Sequence, residues 1–288
     1  MRTILEVNPE KAKKNYEELK KELPNAVIAY ALKANYDPRI LKTLSKAGCG
    51  AEVCSEYEYR LAKRKGFEKI IINGYVKPMN CWLQNVEETG LKIKGLKGAR
   101  IKPFNTSKLG LSEEEILKKE WDCIAYHSSR TSINEWKKIL EKARKLTRKT
   151  GAELIDAGGG LTTERIKLLK KIDNLIIEPG RALVENTCTL KTRVLAVKDE
   201  NVIIDTGLNF FNKLSMSNYQ VEVKGKENKK KSRAYRVCGP VPTDLDNIGK
   251  HNLPLVKKND TLIIKNCGAY TTSMASNWTR KKPVPKYI

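Results

Sequence analysis

The stretch AYALKAN, residues 29–35, decides how this chain is read: an apolar, strand-like run that begins near residue 26 ends on a lysine, Lys33. Six more short apolar runs follow at 51–54, 69–73, 99–102, 122–126, 152–156 and 174–177. Helical patterns alternate with them, the mark of parallel β/α units. The first helix is signalled by Asn8 as N-cap and Pro9 at the first helical position. Ala12, Tyr16, Leu19 and Leu23 share its face, and Pro24 ends it. Another helix is framed by a Ser132/Glu135 capping box and by Gly151, with Ile133, Trp136, Ile139, Leu140, Ala143 and Leu146 along one side. A compressed segment, 84–98, stands where an eighth strand and its helix are expected. The pattern predicts an α/β fold, a TIM-like (β/α)8 barrel with one abbreviated unit, over residues 1–183. Strand-like runs at 189–197, 201–205, 219–223, 233–238 and 261–266, separated by Asn, Asp, Gly and Pro turns, predict a C-terminal mainly β domain over 184–288.

Composition excludes several classes. No run of about 18 apolar residues and no signal-peptide pattern is present, so the expectation is a cytoplasmic protein with no membrane partner. Seven cysteines without a CxxC pair and two histidines argue against a disulfide framework and a metal site. The formal charge of +23 is spread over the predicted helix faces without interleaved arginine and aromatic residues, which argues against nucleic acid as a partner. The densest basic stretch, KGKENKKKSR at 224–233, reads as a solvated hairpin tip.

In a barrel of this type, chemistry sits at the C-terminal ends of the strands. Lys33, His127, Gly158, Gly159, Gly160 and the EPGR motif from Glu178 to Arg181 all fall just after or at the end of an apolar run. A lysine in a confined pocket has its ammonium form disfavoured, leaving an amine able to form an imine with an aldehyde. Successive glycines let backbone N–H groups approach a phosphate, and Arg181 could add a bidentate contact, although a tight strand-to-helix turn needs the same glycines. Glu178 emerges from an apolar run and needs a partner, either a protonated pyridine nitrogen or Arg181. His127 reads as a ring stacked on a flat cofactor or as a satisfied core histidine. Taken together these residues point to pyridoxal 5'-phosphate.

The motifs AYALKAN, GCGAEVCSEYEYRLA, INGYVKP, RIKPF with SKLG, DAGGG, EPGRALVENTCTLKTRV, CGPVPTDLD and GAYTTSMASN, with His127 between them, run in one order over nearly the whole chain. In that order the chain resembles the alanine-racemase-like (fold-type III) decarboxylases that act on ornithine, diaminopimelate and arginine, and the diaminopimelate branch above all. The resemblance implies that Lys33 holds the cofactor and His127 stacks on it, with Glu178 at the pyridine nitrogen. Gly158, Gly159, Gly160, Gly180, Arg181 and Tyr270 would bind the phosphate. Glu52, Ser55 and Glu58 fall where the family keeps polar residues near the ring, and Ser55 with Glu58 also reads as a capping box. It also implies a homodimer whose subunits complete each other's site. Lys213 falls where a distal substrate carboxylate would be met; a distal amine would want Asp205, Asp244 or Asp246.

The chain departs from the family in three places. The family's proton-donating cysteine after CGP is matched by Pro242, which leaves Cys238, Thr243 or a water held by Asp246 as the acid. The serine motif after the histidine reads HSSR, so Ser129 or Arg130 would take over phosphate contact. The segments before residue 3, around 84–98 and between DAGGG and EPGR look short. The expectation is decarboxylation of a small amino acid, diaminopimelate first and ornithine or arginine next. Its alternative is a racemase or a pyridoxal-phosphate-binding protein that does not decarboxylate.

Overall fold

The computed structural model describes residues 3–104, 106–129, 131–211, 218–231 and 233–288. Two compact units are present: residues 13–33 with 41–183, and residues 1–12 with 34–40 and 184–288. Among the described residues no helix is long and apolar enough to cross a membrane.

In chain order, β1 (Ile4–Val7) and α1 (Pro9–Glu22) precede β2 (Val27–Ala31), α2 (Pro38–Lys46), β3 (Gly50–Val53), α3 (Glu56–Lys65) and β4 (Ile70–Ile72). Then come β5 (Leu83–Val86), β6 (Leu96–Arg100), α4 (Glu113–Leu117), β7 (Cys123–His127), α5 (Ile133–Thr150), β8 (Leu154–Gly158), α6 (Thr163–Leu169), β9 (Leu175–Ile177) and α7 (Arg181–Val184). Strands β2 to β9 close into a parallel barrel, with β2 paired to β9 and the Ala31 N–H donating to Pro179 O at 3.0 Å. The compressed segment supplies β5 and reaches β6 with no helix between them. The capping signals on α5 hold: Ser132 and Glu135 form both bonds of the box, and Gly151 closes the helix at φ +71°. On α3 only half the expected box forms. Ser55 accepts from the Glu58 N–H, but the Glu58 carboxylate turns to the Cys54 N–H at 2.7 Å, a donor left over by the sharp exit from β3.

Ala29, Ile71, Leu83, Cys123 and Ile176 form one apolar layer from five barrel strands, with Val27, Trp82, Leu96 and Leu154 packed against it. Side chains on a strand return to the same face every second residue. Two positions further along, that face carries Asn73, Asn85 and Glu178, all buried. An apolar plug therefore underlies a polar floor at the C-terminal ends of the strands.

The other unit is an eight-stranded sheet. Its strands after the barrel are β10 (Cys188–Lys198), β11 (Asn201–Ile204), β12 (Gln220–Val223), β13 (Arg233–Cys238), β14 (Asn247–Leu253), β15 (Thr261–Lys265) and β16 (Val284–Tyr287). The order is β12-β15-β10-β11-β13-β14, and β1 bridges β10 and β16. The basic stretch at 224–233 is not a hairpin tip: β12 pairs with β15, whereas β13 pairs with β11 and β14, so the segment is a crossing between non-adjacent strands. Lys226 anchors it through Asp260 at 2.6 Å, and most of the remainder is exposed.

Candidate active site

All eight barrel strands contribute a polar side chain or a glycine to this cluster, in or just past the strand. Lys33 lies two residues past β2 and is bonded to Glu52 of β3 through Nζ and Oε2. Asn73, just past β4, donates from Nδ2 to Glu52 Oε1 at 3.1 Å and to Glu178 Oε1 at 2.6 Å. Asn85 of β5 donates to Asn73 Oδ1 at 2.9 Å and to Asp156 Oδ2 of β8 at 2.7 Å. His127 ends β7 with Nδ1 4.0 Å from Glu178 Oε2, an ion-pair distance longer than a hydrogen bond. Gly98 of β6 gives Asn85 its room, since a Cβ there would overlap the Asn85 amide.

Burial makes this network electrostatically selective. Asp156 is 1% exposed; burial first, and then the neighbouring Glu178 carboxylate, push its carboxyl well above the ordinary range and favour its protonated form. Burial also pushes Glu178 up, but His127, Lys33 and Asn73 outweigh it and hold Glu178 as a carboxylate. For Lys33, burial pulls the ammonium down while Glu52 and Glu178 more than compensate, and the net shift is upward. This corrects the expectation of a neutral amine drawn from confinement alone: two carboxylates face the lysine, and they keep it protonated.

The donor set fits an anionic, flat, aldehyde-bearing cofactor. Gly158 lets Glu178 and His127 close in on the strand end, since an added Cβ would come within 2.7 Å of both Glu178 Oε2 and His127 Nδ1. Gly159 adopts φ +117°, and a Cβ there would overlap Ser128 O. Gly160 and Ser129 are exposed, and Gly180 and Arg181 are half-buried at the start of α7. On β6, Arg100 donates to Glu87 Oε1 at 3.1 Å, while Arg100 Nε and Glu87 Oε2 are buried without a hydrogen-bond partner among the described residues.

The remaining expected residues lie on the sheet unit. Tyr270 sits at φ +59°, its N–H donating to Ala34 O at 2.7 Å. Cys238, Thr243, Asp244 and Asp246 line a cavity of about 450 Å³ together with Pro242, Lys198 and Arg236. Burial raises the Cys238 thiol. Pro242, Thr243 and Asp244 are exposed, but Asp246 is buried, with Oδ1 accepting from the Leu208 N–H at 2.7 Å and Oδ2 from the Val241 N–H at 2.9 Å. Gly207 and Gly239 wrap that carboxylate. A backbone N–H meets each of its oxygens, so Asp246 anchors the loop. Asp205 pairs with Arg280. Arg130 and Lys213 lie outside the described residues.

Sequence reading missed Asn73, Asn85 and Asp156. Each sits where a strand's inward face passes from apolar to polar, in III-N, L-Q-N and the Asp of DAGGG, and the period of two counted from the plug layer would have found the two asparagines.

The family described as pyridoxal-dependent decarboxylase, C-terminal sheet domain, matches residues 28–268. A protein of Oryza sativa subsp. japonica named "Probable diaminopimelate decarboxylase, chloroplastic" is 26% identical over 91% of this chain and 69% of its own length. The diaminopimelate decarboxylase of Helicobacter pylori (strain J99) is 28% identical over 89% of this chain and 82% of its own. The crystal structure of diaminopimelate decarboxylase from Helicobacter pylori complexed with L-lysine has the same fold, with TM-score 0.84 at 23% identity over 100% of this chain and 92% of that one.

Proposed function

For a chain that belongs to the pyridoxal-dependent decarboxylase family, we propose diaminopimelate as the amino acid it decarboxylates. The enzyme is a carboxy-lyase whose cofactor is pyridoxal 5'-phosphate. Bound there, the cofactor supplies an electron sink that lets an α-carboxylate leave as carbon dioxide. The observation that carries the site reading is Lys33 paired with Glu52, which Asn73 links to Glu178 against Gly158. In this reading Lys33 Nζ would hold the cofactor's aldehyde carbon, Glu178 would meet its ring nitrogen and His127 would lie against its ring. Gly158, Gly159, Gly160, Gly180, Arg181 and Tyr270 would hold the phosphate, with Ser129 as a further contact; Arg130, expected with it, lies outside the described residues. Glu52 orients Lys33 and, by favouring its ammonium, makes Lys33 Nζ the acid at hand to return a proton to the substrate's α-carbon, in place of the family cysteine matched by Pro242.

Diaminopimelate is supported by decarboxylases of that name aligning with about nine-tenths of the chain. Ornithine comes next, through the GAYTTS motif, with arginine beside it as a further substrate of the family. Lys213 and Asp244 are the proposed partners of the substrate's distal carboxylate and amine. A homodimer with shared sites and a cytoplasmic location belong to the same reading, and sedimentation would measure the first. The deciding experiment supplies cofactor-loaded protein with diaminopimelate, ornithine, arginine and lysine and follows carbon dioxide and products. Lysine formed from diaminopimelate is expected. Gas from another amino acid alone would overturn the substrate, and spectral change without gas from any of them would favour the non-decarboxylating alternative.

A further inference from the structure

We propose that Arg165 is the positioning residue of the phosphate cradle, a single buried cation that fixes both of its rims; this rests on the cofactor reading above. Arg165 opens the first turn of α6 and is 4% exposed. Its NH1 donates to Ser128 O at 3.1 Å and to Gly160 O at 2.7 Å, and its NH2 donates to Thr131 O at 2.9 Å and Thr131 Oγ1 at 3.2 Å. These acceptors belong to two separate segments, the turn that follows His127 and the glycines that end β8. Thr131 Oγ1 also meets Ser128 Oγ at 2.9 Å, so the turn is cross-linked to itself and to the guanidinium. Gly159 is packed onto the same Ser128 carbonyl.

Two consequences follow from peptide geometry and charge. The C=O and N–H of a trans peptide point in opposite directions, so drawing the Ser128 and Gly160 carbonyls onto Arg165 turns the Ser129 and Leu161 N–H groups away from it. Two amides turned by one clamp would be donors at hand for a phosphate held there. Every hydrogen-bond acceptor of Arg165 given above is neutral, and among the described residues no carboxylate lies within 4.0 Å of it. The Trp136 ring, with its centroid 5.3 Å from Cζ, compensates the charge only in part. A buried cation without a counter-charge is costly, and a phosphate at the cradle would supply one.

The test compares cofactor with and without its phosphate. Wild type, R165M and R165K are titrated with pyridoxal 5'-phosphate and with pyridoxal, following intrinsic fluorescence and cofactor absorbance, with circular dichroism as the control for folding. R165M should weaken pyridoxal 5'-phosphate by about 10- to 100-fold while pyridoxal changes by less than about threefold. R165K keeps the charge but cannot bridge four acceptors, so it should fall between wild type and R165M; where R165M does not fold, R165K decides. A wild-type phosphate preference in R165K and in any folded R165M would overturn the role of Arg165 while leaving the cofactor reading intact. A wild type that binds both compounds equally would instead overturn the cradle reading itself, and this inference with it.

Discussion

Replacing Asp156 with asparagine should stabilise the ligand-free protein at neutral pH, and the gain should grow with pH. In the unfolded chain this carboxyl titrates near 3.8, whereas in the barrel burial and Glu178 push it far higher. Between those two values the native state binds one proton more than the unfolded state, so native stability falls as pH rises, by about 1.4 kcal/mol per pH unit. The asparagine side chain would keep the geometry, accepting from Asn85 and donating to Glu178, without that proton. The stability difference between D156N and wild type should therefore widen as pH rises above the unfolded value, by up to about 1.4 kcal/mol per pH unit for as long as the fold holds that proton. Urea unfolding of both proteins at several pH values measures it. A difference that stays constant, or that widens toward low pH, would mean that Asp156 is ionised in the fold, and the charge arrangement argued for the site would fall.

Replacing Lys33 with alanine should abolish turnover and the borohydride-reducible attachment of the cofactor, read by mass spectrometry of the intact chain; attachment that persists elsewhere would displace Lys33 from its role. Gly159→Ala should cost about 2 kcal/mol or more, because φ +117° is unsuited to a side chain and the Cβ would overlap Ser128 O. Thermal unfolding would show this, and an unchanged midpoint would contradict the packing at the cradle. Asp246→Ala should cost about 2–4 kcal/mol by leaving the Leu208 and Val241 N–H groups without their charged acceptor. If instead it lost turnover at wild-type stability, Asp246 would be catalytic and not a loop anchor.

What the sequence made legible is what short-range pattern encodes. Seven of the eight barrel strands announced themselves as apolar runs, β5 (LQNV) being the exception, and α5 announced both ends through Ser132, Glu135 and Gly151. Elements whose partners are remote in sequence did not. β1 is defined by pairing with β10, Ile4 against Lys191, and β16 by pairing with β1, so neither has a local signal stronger than its neighbours. β14 carries no apolar run to mark it, because NIGKHNL is mostly polar and half-buried, and its pairing with β13 is what makes it a strand. At the site, residue types were readable and protonation states were not. Lysine in a pocket suggested a neutral amine, and only the placement of Glu52 and Glu178 around it reverses the sign.

That reversal bears on how the pocket accepts its cofactor. Asp156 is neutral and Lys33 cationic, while Glu52 and Glu178 contribute two carboxylates, so the buried floor carries an excess of negative charge. Such an excess in a low-dielectric site favours a cation. A protonated ring nitrogen at Glu178 would supply one there, and it would be held protonated by the same carboxylate. Lys33 could then give up its charge to hold the aldehyde carbon without leaving Glu178 uncompensated. Asp156 fits this exchange as the neutral donor to Glu178: it fixes that carboxylate in place without competing for the incoming positive charge. The prediction for D156N therefore tests more than one residue, because the shared proton is what keeps the excess at one charge and not two.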